Sequence, residues 1–372
     1  MQLNRLTLQG YRNYERLSLN TSAGVNILVG PNAQGKTNLL EAIHVLALTK
    51  SHRTSKDKEL IGWNQPFARI RAELTRKYGD ISMELQLSPQ GKRAKVNELE
   101  QRKLSGFVGT INVVLFAPED LDIVKGAPGV RRRFMDMEIG QVHPGYLYDL
   151  QQYQKIMQQR NNYLKSTDLA RASQAMLDVW NEQLAASGVK MMQKRKTFIH
   201  KLQGWAEKIH RGITGGGELL TVEYRPSFGG SEDGASQDEA YLFEQFMLKL
   251  TQGKEQEFRR GMTLAGPHRD DLAFFINGKD VQSFGSQGQQ RTAALSLKLA
   301  ELELMREEIG EYPLLLLDDV LSELDQQRQT HLIETFQSRV QTFITTTGLE
   351  SVNMNRLHDA AVYEVRNGEI VS

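Results

Sequence analysis

The chain has 372 residues, 40% of them hydrophobic and 24% charged, with a formal net charge of +1 and no cysteine. That length suits one large or two modest domains with enough apolar content for a core. The absence of thiols excludes disulfides, thiolate zinc sites and thiol catalysis, and the balanced charge excludes a globally basic chain. The first residues follow a strand pattern (Leu3, Leu6, Leu8) without a signal peptide, which fits a soluble cytoplasmic protein. Further strand candidates are Leu17–Leu19, Val25–Val29, Ala68–Thr75, Ile81–Leu87, Arg93–Val96 and Ile111–Phe116. Alternation within 68–87 predicts an antiparallel hairpin with one wet face. Asn38 to Leu48 reads as an apolar helix.

Pro118 marks a boundary, and residues 120–260 read as mostly helical. Two arms, about Pro144–Leu164 and Gln174–Trp205, carry apolar residues at helical spacing and predict a helical hairpin. Gly229 to Ser236 reads as a flexible polar loop. Asp271–Ile276 returns to strand, and Asn277-Gly278 is a hairpin turn signal. A helical pattern from Ala294 to Ile309 follows, then strands at Leu314–Leu317 and Gln341–Thr347. The expected organisation is an α/β chain in two parts. Segments 1–117 and 261–372 form one discontinuous lobe, and 118–260 form an inserted helical lobe.

Gly30-Pro31-Asn32-Ala33-Gln34-Gly35-Lys36-Thr37 has the spacing of a phosphate-binding loop, between a predicted strand and a predicted helix. Gly30 and Gly35 let backbone N–H groups wrap a phosphate chain. Lys36 supplies a cation for the β- and γ-phosphates of ATP, and Thr37 offers its hydroxyl to Mg²⁺. The run Leu314–Leu317 ends in Asp318-Asp319, where an acid holds the metal of such a site. Asp318 is assigned to Mg²⁺ and Asp319 to the attacking water. An ordinary Asp-Asp turn at a strand end is the plain alternative.

Ser286-Gln287-Gly288-Gln289 stands at the start of the long helix. Ser286, Gly288 and Gln289 would offer a second anion site aided by the helix dipole, although an N-cap serine explains the same residues. The motif resembles the signature of the ABC-type ATPases, whose dimers dock each chain's serine end onto the partner's nucleotide. Ser322-Glu323-Leu324-Asp325 resembles the loop that crosses the dimer interface in that class. The implied fold is an ABC-type P-loop ATPase head: a mixed sheet, an antiparallel β subdomain and a helical lobe.

Several segments carry a narrower resemblance. They are Gln9–Tyr14, Gly30–Thr37, Ser51-His52-Arg53, Phe116–Leu121, Gly129–Asp136, Gly266–Leu272, Ser286–Arg291 and Leu314–Asp325. Running in order over nearly the whole chain, they resemble the RecF family, whose heads are related to those of SMC proteins. The resemblance implies a cytoplasmic, nucleoid-associated DNA repair, replication and recombination protein of the SOS response. It implies an ATP-dependent homodimer that binds single- and double-stranded or gapped DNA and, with RecO and RecR, helps RecA loading. It also suggests that Arg12 contacts the nucleotide base, a surface arginine being the alternative. Thr345-Thr346-Thr347 stands where transport ATPases carry a histidine. Threonine cannot do that proton chemistry, which points to weak hydrolysis used as a switch.

Basic clusters occur at Lys50–Lys58, at Lys125–Arg133 and at Lys190–Lys201. Lys50, Arg53 and Lys56, with Arg131, Arg132 and Arg133, are the candidates for phosphate-backbone contacts with DNA. From charge alone a balanced solvated surface is the favoured explanation, and Arg131–Arg133 could equally bridge the lobes. His268-Arg269-Asp270 is declined as a kinase loop, because Phe275 stands where that loop requires Asn. The other function classes are a P-loop phosphotransferase acting on a small molecule and an ABC transport ATPase subunit. No apolar stretch reaches the roughly 18–20 residues that a membrane span needs.

Overall fold

The computed structural model describes residues 1–228, 238–336, 339–351, 357 and 360–371. The expected loop at Gly229–Ser236 lies outside them. The described residues pack as two compact units. The first comprises Met1–Leu121, Lys208–Gly217 and Arg291–Ser372, and the second Asp122–Glu207 and Glu218–Gln290.

The first unit holds two six-stranded sheets. One is antiparallel, in the order Tyr14–Asn20, Gln2–Tyr11, Ala68–Arg76, Gly79–Ser88, Gly91–Val96 and Leu99–Glu100. Burial alternates along Ala68–Arg76 and its partner Gly79–Ser88, as expected for a sheet with one wet face. The other sheet runs Glu369–Val371, Ala361–Arg366, Val25–Val29, Thr342–Thr346, Leu314–Asp318 and Val113–Phe116. Its strands are parallel except for the terminal hairpin. Leu314–Asp318 and Thr342–Thr346 are buried throughout, as central parallel strands covered on both faces are. Buried Gln341 ties the sheets together, accepting from Leu3 N at 2.6 Å and donating to Leu3 O at 2.8 Å and Ser22 O at 2.6 Å.

The second unit contains the helices Pro128–Val142 and Pro144–Ser166, and most of the 40-residue helix Gln174–Ile213. It also holds a small antiparallel sheet, Lys279–Asp280, Asp271–Ile276 and Leu220–Arg225. Leu220–Arg225 is a strand inside a region expected to be helical. Its partner lies about fifty residues on, so no local hairpin signal announced it. The Asn277-Gly278 turn is present, with both residues at positive φ (51° and 77°), the geometry of a two-residue hairpin.

The two units divide the chain differently from the boundaries drawn at 117/118 and 260/261. Residues 261–290, signature sequence included, group with the second unit. The cause is pairing: Asp271–Ile276 zips onto Leu220–Arg225, and Asp270 and Asp271 bind arginines of the second unit.

Candidate functional site

The loop Gly30–Gly35 leaves the strand Val25–Val29 and enters the helix Lys36–Leu48. Gly30 and Gly35 sit at φ 157° and 115°, and a Cβ on Gly30 would lie 2.4 Å from Val365 O. The helix N-terminus has no side-chain cap, so its first N–H groups remain available to an anion. Pro31, Asn32 and Ala33 are exposed.

The loop is held from outside. Asn13 Nδ2 donates to Gln34 O at 3.0 Å, and Tyr14 OH donates to Gly35 O at 3.0 Å. From the terminal hairpin, Gly368 N donates to Gln34 O at 2.9 Å and Asn367 N to Gln34 Oε1 at 2.7 Å. Lys36 lies back across the loop, its Nζ 2.6 Å from Gly30 O and 2.8 Å from Pro31 O. Burial pushes the Lys36 ammonium below its ordinary pKa, and the nearby Asp319 and Asp318 charges oppose that.

The acid end meets the loop. Thr37 Oγ1 donates to Asp318 Oδ1 at 2.9 Å, joining residues 281 positions apart. Thr345 Oγ1 donates to the same oxygen at 2.7 Å. Asp319 is exposed at φ 53°, and its backbone N donates to Thr345 Oγ1 at 2.9 Å. Ser322 Oγ donates to Asp319 O at 2.7 Å and reaches Asp319 Oδ1 at 3.2 Å. Sequence spacing had paired Lys36, Thr37, Asp318 and Asp319, and the structure brings all four together. The strand ends at Thr346, and Thr347 lies beyond it, exposed.

In the second unit, Ser286 and Gln289 form a reciprocal cap. Gln289 N donates to Ser286 Oγ at 3.2 Å, and Ser286 N donates to Gln289 Oε1 at 3.0 Å. This is the capping box of a helix start, here Gln287–Ile309. In this cap Ser286 Oγ accepts, so the bond to Gln289 N does not use its hydroxyl proton. Gln289 Nε2 also donates to Glu218 Oε1 at 2.8 Å, a contact that no local signal indicated.

The family model described as the RecF/RecN/SMC N terminal domain matches residues 2–370. A Bacillus cereus protein named DNA replication and repair protein RecF is 53% identical over 371 residues, covering 100% of this chain and 98% of its own. The Bacillus velezensis protein of the same name is 52% identical over 372 residues, covering 100% of both chains.

The chain belongs to the RecF family.

A solved structure described as the recombination mediator protein RecF-ATPrS in the RecFOR pathway superposes with a TM-score of 0.91 at 33% identity. It covers 99% of this chain and 97% of that one. An Smc head bound to the C-winged helix domain of ScpA gives a TM-score of 0.57 at 14% identity, covering 100% and 97%, a likeness of fold alone. The fold is therefore the expected ABC-type ATPase head of RecF and SMC proteins with its helical lobe.

The basic residues proposed for DNA divide sharply. Arg131 does not fit that role. It is buried, donating from Nε and Nη2 to Asp271 at 2.6 and 2.9 Å and from Nη1 to Gly126 O at 2.7 Å. Burial and a bidentate carboxylate remove it from any phosphate. Arg132 is half-buried and donates to Asp270 O at 2.8 Å, whereas Arg133 is exposed. Lys50 is exposed, and Lys56 is exposed beside Glu59 at 3.5 Å. Arg53 donates to Asn38 Oδ1 at 2.8 Å, on the first turn of the phosphate-loop helix, and lies 3.7 Å from Glu41. In the Lys190–Lys201 cluster, Arg195 is likewise buried.

Arg12 is engaged by the protein itself. Its Nε and Nη2 donate to Glu41 at 2.8 and 2.7 Å, and Nη1 donates to Glu59 O at 2.8 Å. Glu41 is fully buried. Burial raises its pKa, but bonds from Arg12 and Ser51 outweigh that and hold the carboxyl below its ordinary value. Among the described residues, no group of three or more His, Asp or Glu is placed to hold a metal by itself. Also among them, no helix is long and apolar enough to cross a membrane.

Proposed function

We propose that the chain is an ATP-dependent DNA-binding protein of repair and recombination. Its ATP-bound homodimer clamps gapped DNA or single-strand/double-strand regions and, with RecO and RecR, helps RecA loading. The contact that carries this reading is Thr37 on Asp318, which puts hydroxyl and carboxylate together at the mouth of a glycine loop. Support also comes from relatives named for DNA replication and repair and from solved relatives described as RecF with ATP in the RecFOR pathway.

The residues present fit Mg²⁺. Thr37 and Asp318 are hard oxygen donors, and two hydroxyls already point at the Asp318 carboxylate. Bound there, the ion would neutralise charge on the transferring phosphate. The chain's residues do the rest. Lys36 leaves the Gly30 and Pro31 carbonyls for the phosphates, and Gly30–Gly35 and the uncapped helix end donate N–H groups. Asp319, held by Thr345 and Ser322, orients the attacking water. Ser286, Gly288 and Gln289 contact the γ-phosphate of the partner's nucleotide. ATP then stabilises only the closed dimer, which makes hydrolysis a release step. Turnover below about 1 per second suits that switch.

The test is fluorescence anisotropy with gapped, duplex and single-stranded DNA at two salt concentrations, with and without ATP and Mg²⁺, beside sedimentation. The wild type should bind duplex-containing DNA in an ATP-promoted, salt-sensitive way. Lys36→Ala should lose ATP binding and dimerisation together. Ser286→Arg should keep ATP binding but stay monomeric. Loss of ATP binding in Ser286→Arg would overturn the action in trans, and a wild type indifferent to DNA would return weight to a small-molecule phosphotransferase.

A further inference from the structure

The strand Thr342–Thr346 lies between the strand that feeds the phosphate loop and the strand that ends in Asp318. In that ladder Thr345 is the direct partner of Asp318, and Thr346 of Val29. Thr346 O accepts from Gly30 N at 3.3 Å, so the strand end touches both halves of the site. Thr345 is 1% exposed. Its single hydroxyl donates to Asp318 Oδ1 at 2.7 Å and accepts from Asp319 N at 2.9 Å.

A hydroxyl has one proton and two lone pairs, so both bonds form at once. One bond fixes the Asp318 carboxylate. The other holds the backbone of Asp319 at φ 53°, where few non-glycine residues sit. Among the described residues, removal of Thr345 Oγ1 takes away the bond made by the Asp319 N–H and leaves the Asp318 side chain with Thr37, a hydroxyl assigned to leave it for the metal. The demand is for a hydroxyl, since valine has the same shape and suits a buried strand equally.

We propose that Thr345 is a positioning residue for nucleotide hydrolysis: one hydroxyl sets the carboxylate of Asp318 and the backbone of Asp319 together. The proposal rests on the ATP reading above. It separates two properties of the site. Phosphate binding belongs to the glycine loop and Lys36, which Thr345 does not touch, whereas metal response and water orientation belong to the two acids.

The experiment compares wild type, Thr345→Val and Thr345→Ser in the full chain by two readouts. The first is the ATP-induced rise in melting temperature, measured without metal and along a Mg²⁺ titration. The second is steady-state hydrolysis, with kcat and KM separated. In Thr345→Val, ATP affinity without metal should stay within about twofold of wild type. The Mg²⁺ concentration for half the metal-dependent shift should rise about tenfold or more, and kcat should fall about 10- to 100-fold, the loss of one charge-assisted hydrogen bond. Thr345→Ser, which keeps the hydroxyl, should restore both to within about threefold. Equal behaviour of the Val and Ser variants overturns the proposal, as does a Val variant that loses metal-free ATP binding as well. Failure of the wild type to show any ATP-induced shift overturns the ATP reading itself, and this proposal with it.

Discussion

The phosphate-loop site of the first unit and the interior of the second treat charge in opposite ways. At that site two charged groups are left accessible or on bonds that a ligand can replace. Lys36 rests on two backbone carbonyls, and Asp319 is exposed. In the second unit the charges close on one another. Arg160 is buried, with its guanidinium on Glu257 at 2.6 Å, Thr263 at 2.8 Å and Asn181 at 3.0 Å. Arg195 is buried on Asp136 at 2.7 Å, Pro267 O at 2.6 Å and Asp270 at 3.3 Å. Tyr224 OH donates to Asp270 as well, and Ser227 N reaches that carboxylate at 2.8 Å. A cation saturated by protein partners positions the backbone, while a cation resting on replaceable partners awaits a ligand. Arg131 and Arg133, two residues apart on one helix, show that a basic cluster in sequence can be split between interior and surface.

The contrast can be broken most strongly at Arg160. Arg160→Met leaves Glu257 buried and unpaired and should cost about 3–5 kcal/mol. Adding Glu257→Leu should recover most of that, because the stranded charge is gone. Urea denaturation checks both, and a single variant costing under about 1 kcal/mol would mean the pair is not the closed network described.

A smaller effect comes from pH. Burial is the main force that lowers the His268 pKa, from 6.5 to about 4, and Tyr153 OH lies 2.7 Å from its Nδ1. The fold therefore holds the neutral ring. Its contribution is complete above pH 6.5 and is lost as pH falls from there toward 4, roughly 3 kcal/mol in all. His268→Gln should flatten the stability profile in that window; an unchanged slope would place the acid sensitivity elsewhere.

The smallest change in stability is expected at Arg133. Arg133→Ala should alter stability by no more than about 0.5 kcal/mol. It should lower the slope of log affinity against log salt for duplex DNA by about 0.9, the share of one phosphate contact. Arg131→Ala should do the reverse, destabilising the protein while leaving the salt slope alone. Parallel salt titrations and melts of the two variants decide it, and identical behaviour would erase the distinction between the buried and the exposed arginine.

The elements legible in the sequence were those whose signal is local. Val25–Val29 and Asp271–Ile276 were readable as apolar runs, the Asn277-Gly278 turn from its dipeptide, and the helical arms from their spacing. The phosphate loop and its acid partner were legible because phosphate chemistry restricts residue types at fixed spacing. The strand Leu220–Arg225 was not, since its partner is distant. The terminal hairpin, Ala361–Arg366 and Glu369–Val371, also went unassigned, although Asn367-Gly368 carried the same turn signal as Asn277-Gly278. The fates of Arg131 and Arg12 could not be read locally either, because Asp271 and Glu41 lie 140 and 29 positions away.

That terminal hairpin has a consequence for the order of events during synthesis. Asn367 bonds to Gln34, 333 positions earlier, and Ala361–Arg366 lies beside the strand that delivers the phosphate loop. Leu314–Asp318 and Thr342–Thr346 also emerge late and complete the same sheet. The glycine loop is thus made well before the strands that shape it, so its scaffold can close only after a long stretch of later chain has been synthesised.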